Sequence, residues 1–325
     1  MNKKYTSLLL LLAAFLLNAC QKDLDEFIPD PGQVTGPDTS WYAATTAAMP
    51  VAVLKNNLLI QPVSDSFDVT NSPVSLVFPS GLQCAFPPHS LVSNTSQPVT
   101  GKAELETILL TKKGDIVRMG TPTISDGKLL ISGGEFFIRA KKNGDELQLA
   151  PNVRVNVHYP DPSPSPLMKI FNGDGSNPQQ FNWIKNYDSL CNVSVGNQHY
   201  EIVSRNLHWI NCDYFYDTTV ARTHIAAGLP LQYTNANTIV YMVFNDIRSV
   251  IAMYGSITLH KFISSSVPIG EAVTIIVISK QGDDYYMGHQ NVGTSTPPAG
   301  ANTQLVPLTP VKVSLAAIKQ YLDTL

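Results

Sequence analysis

Short runs in which apolar and polar residues alternate are the feature that most constrains the fold of this 325-residue chain. Segments 103–109, 134–140 and 153–159 each repeat with a period of two, so that every second side chain lies on the same face of a strand. Glycine pairs and Asn-Gly steps, such as those at 133–134 and 143–144, separate the runs and suit tight hairpins, because Gly and Asn tolerate a positive φ. The pattern predicts an all-β fold built from two β-sandwich domains.

Changes in composition along the chain predict the domain boundaries. Alternating prolines over 161–166 remove backbone donors and fix φ, which favours an extended spacer between two domains. Ser314, followed by apolar residues at helical spacing, predicts a short C-terminal helix. The predicted organisation is a signal peptide at 1–19, a lipidated tether at 20–50, a first sandwich at 51–160, a Pro/Gly-rich linker at 161–180 and a second sandwich at 181–325.

The first twenty residues resemble the export signal of a bacterial lipoprotein. Lys3 and Lys4 precede an apolar run over 8–17 that is too short to span a bilayer as a helix, and Leu-Asn-Ala-Cys at 17–20 has the form of a lipobox. The resemblance implies cleavage before Cys20 and acylation of its thiol and new amino group, with fatty chains such as palmitate. We expect this covalent lipid to be the only non-protein group, and we predict no cofactor.

The charge of the chain argues against several partners. Removal of residues 1–19, which carry only Lys3 and Lys4, changes the formal net charge from −3 to −5, and no cluster of Lys or Arg supplies the basic face that nucleic-acid binding requires. No polybasic patch would hold the chain on a membrane, and no run after Cys20 approaches the ~20 apolar residues of a transmembrane helix. We therefore predict a membrane attachment through the lipid at Cys20 and no nucleic-acid partner.

Three acidic residues closely follow the predicted lipidation site. Asp23, Asp25 and Glu26 resemble the signal that directs lipoproteins of Bacteroidetes-type bacteria to the outer face of the outer membrane. The alternative is that they are ordinary charges of a solvated linker. The resemblance implies an outer-membrane protein that is anchored by lipid and exposed at the cell surface.

The first predicted sandwich carries a second resemblance, which covers roughly residues 72–160. Gly-Leu-Gln-Cys-Ala-Phe-Pro-Pro-His-Ser-Leu at 81–91 and Leu-Gln-Leu-Ala-Pro-Asn-Val at 147–153 are similar to the opening and the close of a ZU5-type β-sandwich, the module of ankyrins and netrin receptors. Gly-Gly-Glu-Phe-Phe at 133–137 and Trp-Ile-Asn-Cys-Asp at 209–213 resemble an uncharacterised group of Bacteroidetes lipoproteins. The resemblance implies a binding or scaffolding module without chemistry of its own.

Three cysteines remain besides Cys20, which is an odd number for an exported protein. At most one intramolecular disulfide can form. Cys191 and Cys212 lie in the same predicted domain and bracket a loop of about 20 residues, whose closure would contribute about 3 kcal/mol. We therefore predict a disulfide between Cys191 and Cys212 and a reduced core thiol at Cys84.

The sequence contains no recognisable catalytic or metal-binding motif. It lacks Gly-x-Ser-x-Gly, His-Glu-x-x-His, a Walker loop and Gly-x-Gly-x-x-Gly, so a hydrolase site would have to be assembled from dispersed residues. Cys212, His208, Asp213 and His224 are metal-ligand residue types. A period of two, however, places His208 and Cys212 on one face of a strand and Asp213 on the other. We therefore predict no metal site and no catalytic residue.

The same alternation places Trp209, Asn211 and Asp213 together on one face of a strand. We interpret them as a structural motif. Trp209 would bury a large apolar area, while the short side chains of Asn211 and Asp213 would accept hydrogen bonds from backbone donors where the chain turns after Cys212.

These observations together predict a non-enzymatic surface lipoprotein that acts by binding or scaffolding. Aromatic residues concentrate between 183 and 216, and they fit either a β-face that holds sugar or peptide or the core of the second sandwich. The expected ligand is a protein or a glycan. The alternative is a surface hydrolase or metal-dependent accessory enzyme with its site in the second domain, which a deep pocket of converging carboxylates or histidines would indicate.

Overall fold

Strands dominate the computed structural model, which describes residues 38–325 apart from 71–72, 178 and 217–218. This described part of the chain holds twenty-five strands and only three short helices, so the all-β prediction is confirmed. None of its helices is long and apolar enough to cross a membrane. Residues 39–325 cluster as one compact unit.

Fifteen strands in the first part of the chain form a sandwich. They make one sheet in the order β1-β5-β7-β15-β11-β12, with β6 and β8 also paired to β7, a second sheet in the order β13-β14-β10-β3-β2, and the pair β4-β9. The strands are β1 Val63–Asp68, β2 Val74–Val77, β3 Gln83–Phe86, β4 Leu91–Val92, β5 Lys102–Leu110, β6 Ile124–Ser125, β7 Lys128–Lys142, β8 Asp145–Glu146, β9 Gln148–Leu149, β10 Val155–Pro160, β11 Lys169–Asp174, β12 Asn182–Lys185, β13 Asn192–Gly196, β14 His199–Ser204 and β15 His208–Phe215.

Alternating side chains fill the space between these two sheets. In β10, Val155, Val157 and Tyr159 are fully buried in the shared core, whereas Asn156 and His158 lie on the outer face. Burial of each large apolar side chain contributes about 1.5–3 kcal/mol relative to exposure. The period-two pattern of the sequence therefore corresponds to real strand faces, and it leaves the outer face of the second sheet available for polar residues.

The linker predicted at 161–180 is corrected by the structure. Strand β11 lies inside this segment and pairs with both β12 and β15. Beyond it, β14 pairs with β10, and β15 pairs with β7, so residues on both sides of the predicted boundary share the same two sheets. The prolines interrupt pairing only locally, because each removes a single donor. The first sandwich therefore extends to the end of β15.

The second part of the chain forms one curled sheet with helices on its outer side. Its strand order is β24-β17-β20-β19-β18-β22-β23-β25, and β16 pairs separately with β21. The strands are β16 Arg222–Thr223, β17 Ile225–Gly228, β18 Thr238–Phe244, β19 Val250–Ser256, β20 Lys261–Ile263, β21 Val267–Pro268, β22 Ala272–Gln281, β23 Asp284–Gly293, β24 Gln304–Pro307 and β25 Val311–Val313. The helices are α1 Pro50–Leu58, α2 Lys113–Met119 and α3 Leu315–Leu322.

Both faces of this sheet are covered, which explains why β18 and β22 are almost continuously apolar. On the inner face, side chains from six strands meet in one cluster, and the sheet curls around it. On the outer face, Leu54, Ile116 and Ile318 of the three helices pack on Tyr241 and Ile276. The predicted second sandwich is thus a single curled sheet covered by helices rather than two sheets packed together.

The C-terminal helix predicted from the sequence is confirmed as α3. The Ser314 hydroxyl accepts a hydrogen bond from the backbone N–H of Ala317 at 3.1 Å, which satisfies one of the free donors of the first turn. Ile318 and Leu322 form its buried stripe. The helix therefore closes the outer face of the curled sheet.

Hydrogen bonds join the sandwich to the curled sheet. The backbone N–H of Ser132 in β7 donates to the Arg248 carbonyl at 2.9 Å, and the Ser249 hydroxyl donates to the Leu130 carbonyl at 2.6 Å. Leu129, also in β7, contributes its side chain to the core of the curled sheet. Strand β7 is therefore shared between the two parts, which fixes their relative position.

Candidate ligand-binding cleft

Some predicted site residues lie outside the part of the chain that the structure describes. These are the lipidation site Cys20 and the acidic residues Asp23, Asp25 and Glu26. Lipidation and surface export therefore stay predictions.

The three remaining cysteines are free thiols, so the predicted disulfide between Cys191 and Cys212 is not formed. Cys212 is fully buried in the middle of β15, which lies between β7 and β11, and burial raises the pKa of its thiol well above the usual value. Burial also raises the pKa of the Cys84 thiol to about 12, which keeps this core thiol protonated. Cys191 lies just before the edge strand β13 and is only partly buried.

Trp209, Asn211 and Asp213 all belong to β15, but their surroundings differ. Trp209 is half-buried and packs against the Phe137 ring at a centroid distance of 5.3 Å. Asn211 and Asp213 are fully buried, and the Asn211 side-chain amide donates to Asp213 Oδ2 at 2.7 Å. A β-bulge between Cys212 and Asp213 shifts the register at this point. The Asp213 carboxyl also has a hydrogen bond with the backbone of Gly133, so the expected backbone contact is present. It lies between the paired strands β7 and β15 instead of at a turn.

A second buried carboxyl, Glu135 of β7, completes this polar cluster. Thr121 donates to Glu135 Oε2 at 2.6 Å, whereas Glu135 Oε1 and Asp213 Oδ1 have no hydrogen-bond partner among the described residues. Burial raises the pKa of both carboxyls well above the usual range, and the nearby Asp213 raises that of Glu135 further. Both side chains are fully buried, and burial favours their protonated, neutral forms. Their placement supports a structural role, because no substrate can reach them.

A concave site lies beside the curled sheet, next to helices α1 and α2. A cavity of about 410 Å³ is bounded by α1, α2, β18, β19 and the loop 175–181. A neighbouring cavity of about 600 Å³ shares lining residues with it, including Phe181 and Tyr254. We call the two together the cleft. Each volume falls within the 300–1,000 Å³ of typical ligand pockets.

One wall of the cleft is an irregular segment, residues 41–45, which we call the strap. The Tyr42 backbone N–H donates to Asn235 Oδ1 at 3.0 Å, and the Asn235 side-chain amide donates to the Tyr42 backbone carbonyl at 2.6 Å. At the other end of the strap, the Gln179 side chain accepts from the Thr45 backbone N–H at 3.3 Å and donates to the Thr45 carbonyl at 3.2 Å. The side-chain amides of Asn235 and Gln179 thus hydrogen-bond the strap to two sides of the cleft.

The packing of Trp41 anchors the start of the strap. Its ring lies 5.1 Å from the Phe262 ring and stacks on the His260 ring at 5.9 Å. A Cβ atom placed on Gly255 would lie 2.8 Å from the Trp41 ring and 2.9 Å from Asn235 Cβ. Only glycine therefore permits the strap to approach the sheet this closely.

Among the polar groups that line the cleft, Lys55 Nζ, Tyr241 Oη and Tyr254 Oη make no hydrogen bond to any described residue. Lys55 is exposed at the edge of the cavity, and partial burial lowers the pKa of its ammonium. Burial raises the pKa of both tyrosines, so their hydroxyls stay protonated. All three can donate hydrogen bonds to a bound ligand, and Lys55 would favour an acidic one.

The carboxylates of the cleft are, in contrast, already used by local hydrogen bonds. Asp126 Oδ1 accepts from the Asn182 amide at 3.0 Å, and Asp174 Oδ1 accepts from the Ser176 backbone N–H at 2.9 Å. These contacts are typical of side chains that stabilise turns. These two carboxylates are therefore already engaged within the protein, whereas Lys55 and the two tyrosines are not.

The sequence alone does not reveal this cleft, because its walls come from segments that are far apart along the chain. No local motif marks Lys55, Tyr241 or Tyr254, and the aromatic concentration between 183 and 216 lies mostly elsewhere. Trp183, for example, is fully buried in a small core cluster with Phe171. Comparisons of the chain with protein-family models, with curated proteins and with solved structures found no match.

Proposed function

We propose that this protein is a non-enzymatic binding module of the bacterial cell surface, and that the cleft is its ligand site. The observation that carries the proposal is the set of donors without a hydrogen-bond partner that line one cavity with apolar and aromatic walls: Tyr241 and Tyr254 in its wall and Lys55 at its edge. Pockets of this composition bind small ligands through apolar contact and orient them by a few polar groups.

The chemistry of the cleft favours an acidic sugar as the ligand. Tyr254, Phe181 and Tyr42 offer ring surface against which the apolar face of a sugar can pack. Asn177 and Gln180 add side-chain amides that can exchange hydrogen bonds with hydroxyl groups. Lys55 provides the positive charge for a carboxylate. A peptide with an acidic side chain is the other ligand of matching chemistry, and a binding panel separates the two.

Attachment to the membrane belongs to the same proposal and rests on the sequence pattern alone. The lipobox at Cys20 would anchor the chain in the outer membrane, and Asp23, Asp25 and Glu26 would direct it to the outer face. We therefore propose that the tether presents the cleft outside the cell.

The test of the anchor uses two variants in the native host. Cys20→Ala should release the chain from the membrane fraction and remove the diacyl mass increment from its N-terminal peptide. External protease should digest the wild-type domains on intact cells, while replacement of Asp23, Asp25 and Glu26 by Ala should protect them. Membrane association that is unchanged in Cys20→Ala would refute the anchor, and equal digestion of both forms would refute the export signal.

The test of ligand binding uses the chain from residue 21 onward and a panel of acidic sugars, neutral sugars and short acidic peptides, measured by calorimetry. Lys55→Met should weaken binding of an acidic ligand by roughly 10- to 150-fold, because a charge-assisted hydrogen bond contributes about 1.5–3 kcal/mol. Lys312→Met is the matched control, since Lys312 is exposed and pairs with Asp284 outside the cleft. Turnover of any ligand in the panel would instead favour the alternative function, a surface hydrolase.

A further inference from the structure

Two histidines and one glutamate meet on the outer face of the second sheet of the sandwich, and none of them lines the cleft. His158 of β10 lies directly opposite Glu201 of β14 in the antiparallel register. His199 precedes Glu201 by two residues, so period two places both on the same strand face. All three side chains remain partly exposed, with side-chain exposures of 30% for His158, 21% for His199 and 49% for Glu201.

The ring nitrogens of both histidines point at the same carboxylate oxygen. His158 Nδ1 lies 2.9 Å from Glu201 Oε1, and His199 Nε2 lies 3.1 Å from that oxygen. The three candidate ligand atoms lie within 4.8 Å of one another. In a tetrahedral site with bonds of about 2.0–2.1 Å, neighbouring ligand atoms are about 3.3 Å apart, so small side-chain shifts are enough to admit an ion.

A hydrogen bond to the backbone prepares His199 for this role. Its Nδ1 lies 2.8 Å from the Asn197 carbonyl oxygen, which can only accept, so the proton of the neutral ring resides on Nδ1. Nε2 then carries the free lone pair and faces Glu201. Metal-binding histidines are oriented in the same way by a second acceptor behind the ring.

Gly196 leaves room for this orientation. It pairs with His199 across the β13–β14 hairpin, and a Cβ atom at Gly196 would overlap the His199 ring. Any larger residue would push the imidazole away from Glu201. Gly196 is therefore a positioning residue for the cluster, although it supplies no ligand.

We propose that His158, His199 and Glu201 form a surface site for one divalent transition-metal ion of the Zn²⁺ class. Two imidazole nitrogens and one carboxylate oxygen make three of the four ligands that Zn²⁺ prefers, and the partial exposure of Glu201 leaves a fourth position open to water or to a ligand from outside. Mixed imidazole and carboxylate ligands select Zn²⁺, Ni²⁺ and Cu²⁺ over Ca²⁺ and Mg²⁺, which prefer all-oxygen sites.

The chain contains a matched comparison for this site. His208 Nε2 lies 2.7 Å from Glu146 Oε1, which is as close as either contact in the cluster. That pair has one imidazole, and the His208 ring stacks on Phe137 instead of on a second histidine. In the cluster, the rings of His158 and His199 lie only 4.0 Å apart. If simple histidine–carboxylate pairing explained both places, they would behave alike towards metal.

The experiment uses the full mature protein in detergent, without a polyhistidine tag. After incubation with Zn²⁺ and desalting, elemental analysis should find one zinc per chain, and Ca²⁺ or Mg²⁺ in excess should not displace it. His158→Ala and His199→Ala should each lower Zn²⁺ affinity by at least 100-fold in a chelator competition, since loss of even an outer-shell partner of a ligand typically costs 10- to 100-fold. His208→Ala should leave the affinity unchanged.

Gly196→Ala provides a test that leaves every ligand in place. It should weaken Zn²⁺ binding by about 10-fold or more, the scale expected for disturbed ligand orientation. Melting curves confirm that each variant is folded, and Co²⁺ in place of Zn²⁺ should give the visible absorption of a four-coordinate ion. A wild-type chain that retains no zinc, displacement by Ca²⁺, or equal losses in His199→Ala and His208→Ala would each overturn the proposal.

Discussion

The side-chain amide of Asn211 donates a hydrogen bond to Asp213 Oδ2 at 2.7 Å, and both residues are fully buried in the central strand β15. Next to them, Ser132 donates to Asn211 Oδ1 at 3.2 Å, and Arg248 donates to the Gly133 carbonyl at 2.8 Å. The cluster thus lies where β7 passes from the sandwich to the curled sheet. Polar groups buried at such a junction stabilise one arrangement of the two parts only while they remain paired.

The buried carboxyls predict a distinctive pH dependence of stability. Because burial raises the pKa of Glu135 and Asp213 in the folded state, the folded chain holds protons that the unfolded chain has released. Their contribution is fully present below the ordinary carboxyl pKa of about 4 and is lost as pH rises through the raised pKa values. Between these limits, each such group lowers the free energy of unfolding by about 1.4 kcal/mol per pH unit.

Substitutions isolate this effect. Glu135→Gln and Asp213→Asn remove the titrating proton but keep a polar side chain, so each should flatten the decline of stability with rising pH. Asp145→Asn, on the exposed β7–β8 hairpin, is the control and should follow the wild type. Urea unfolding from pH 5 to pH 8 measures the slopes. Parallel slopes for the wild type and both buried variants would show that these carboxyls are ionised in the folded chain.

The two tryptophans of the sandwich should differ in their contribution to stability. Trp183 is fully buried, so Trp183→Ala should cost about 3–5 kcal/mol, the usual scale for emptying a large aromatic site. Trp209 is only half-buried beside Phe137, so Trp209→Ala should cost less. Chemical denaturation of both variants gives the ranking. A larger loss for Trp209→Ala would contradict the packing described for β15.

The thiols predict a simple chemical result. Cys84 and Cys212 should resist alkylation in the folded chain, because each is fully buried and its pKa is raised. Cys191 should react first, since it is only partly buried. All three should react after unfolding without a reducing agent. Recovery of a peptide that joins Cys191 to Cys212 would show that the disulfide predicted from the sequence forms, and it would contradict the free thiols of the structure.

The strap gives a prediction that is independent of any charged group. Gly255→Ala should displace the Trp41 ring and the Asn235 side chain, which would loosen the strap and weaken ligand binding in the cleft. Gly293→Ala is the matched control, because its Cβ would meet no atom within 4 Å in the same curled sheet. Limited proteolysis around residues 41–45 reports the loosening. Identical digestion of the two variants would contradict the proposed contact.

Local sequence patterns predicted the strand faces but not the long-range pairing. Alternation in β10 identified its inward residues, and Ser314 identified the start of α3, because both signals depend on neighbours along the chain. The predicted linker failed because β11 pairs with β15, more than thirty residues later, as well as with β12, and nothing local to the prolines encodes the pairing with β15. The domain boundary therefore depends on long-range strand pairing, which composition does not reveal.

The same limit applies to both candidate sites. His199 and Glu201 show the i, i+2 spacing of one strand face, but their meeting with His158 depends on the register of β10 against β14. In the cleft, Lys55 of α1 lines the same cavity as Tyr241 and Tyr254 only because α1 packs on the curled sheet. A cluster formed by such non-local packing carries no motif in a single sequence.

Hydrogen exchange with and without ligand tests the central claim most directly. The acidic sugar that binds most tightly in the panel should slow amide exchange in the strap, in the loop 175–181 and in the end of β19 around Tyr254. Protection of these three segments, lost in Lys55→Met, is the result we predict. A ligand that binds the chain while protecting only segments outside the cleft would contradict the assignment of the binding site.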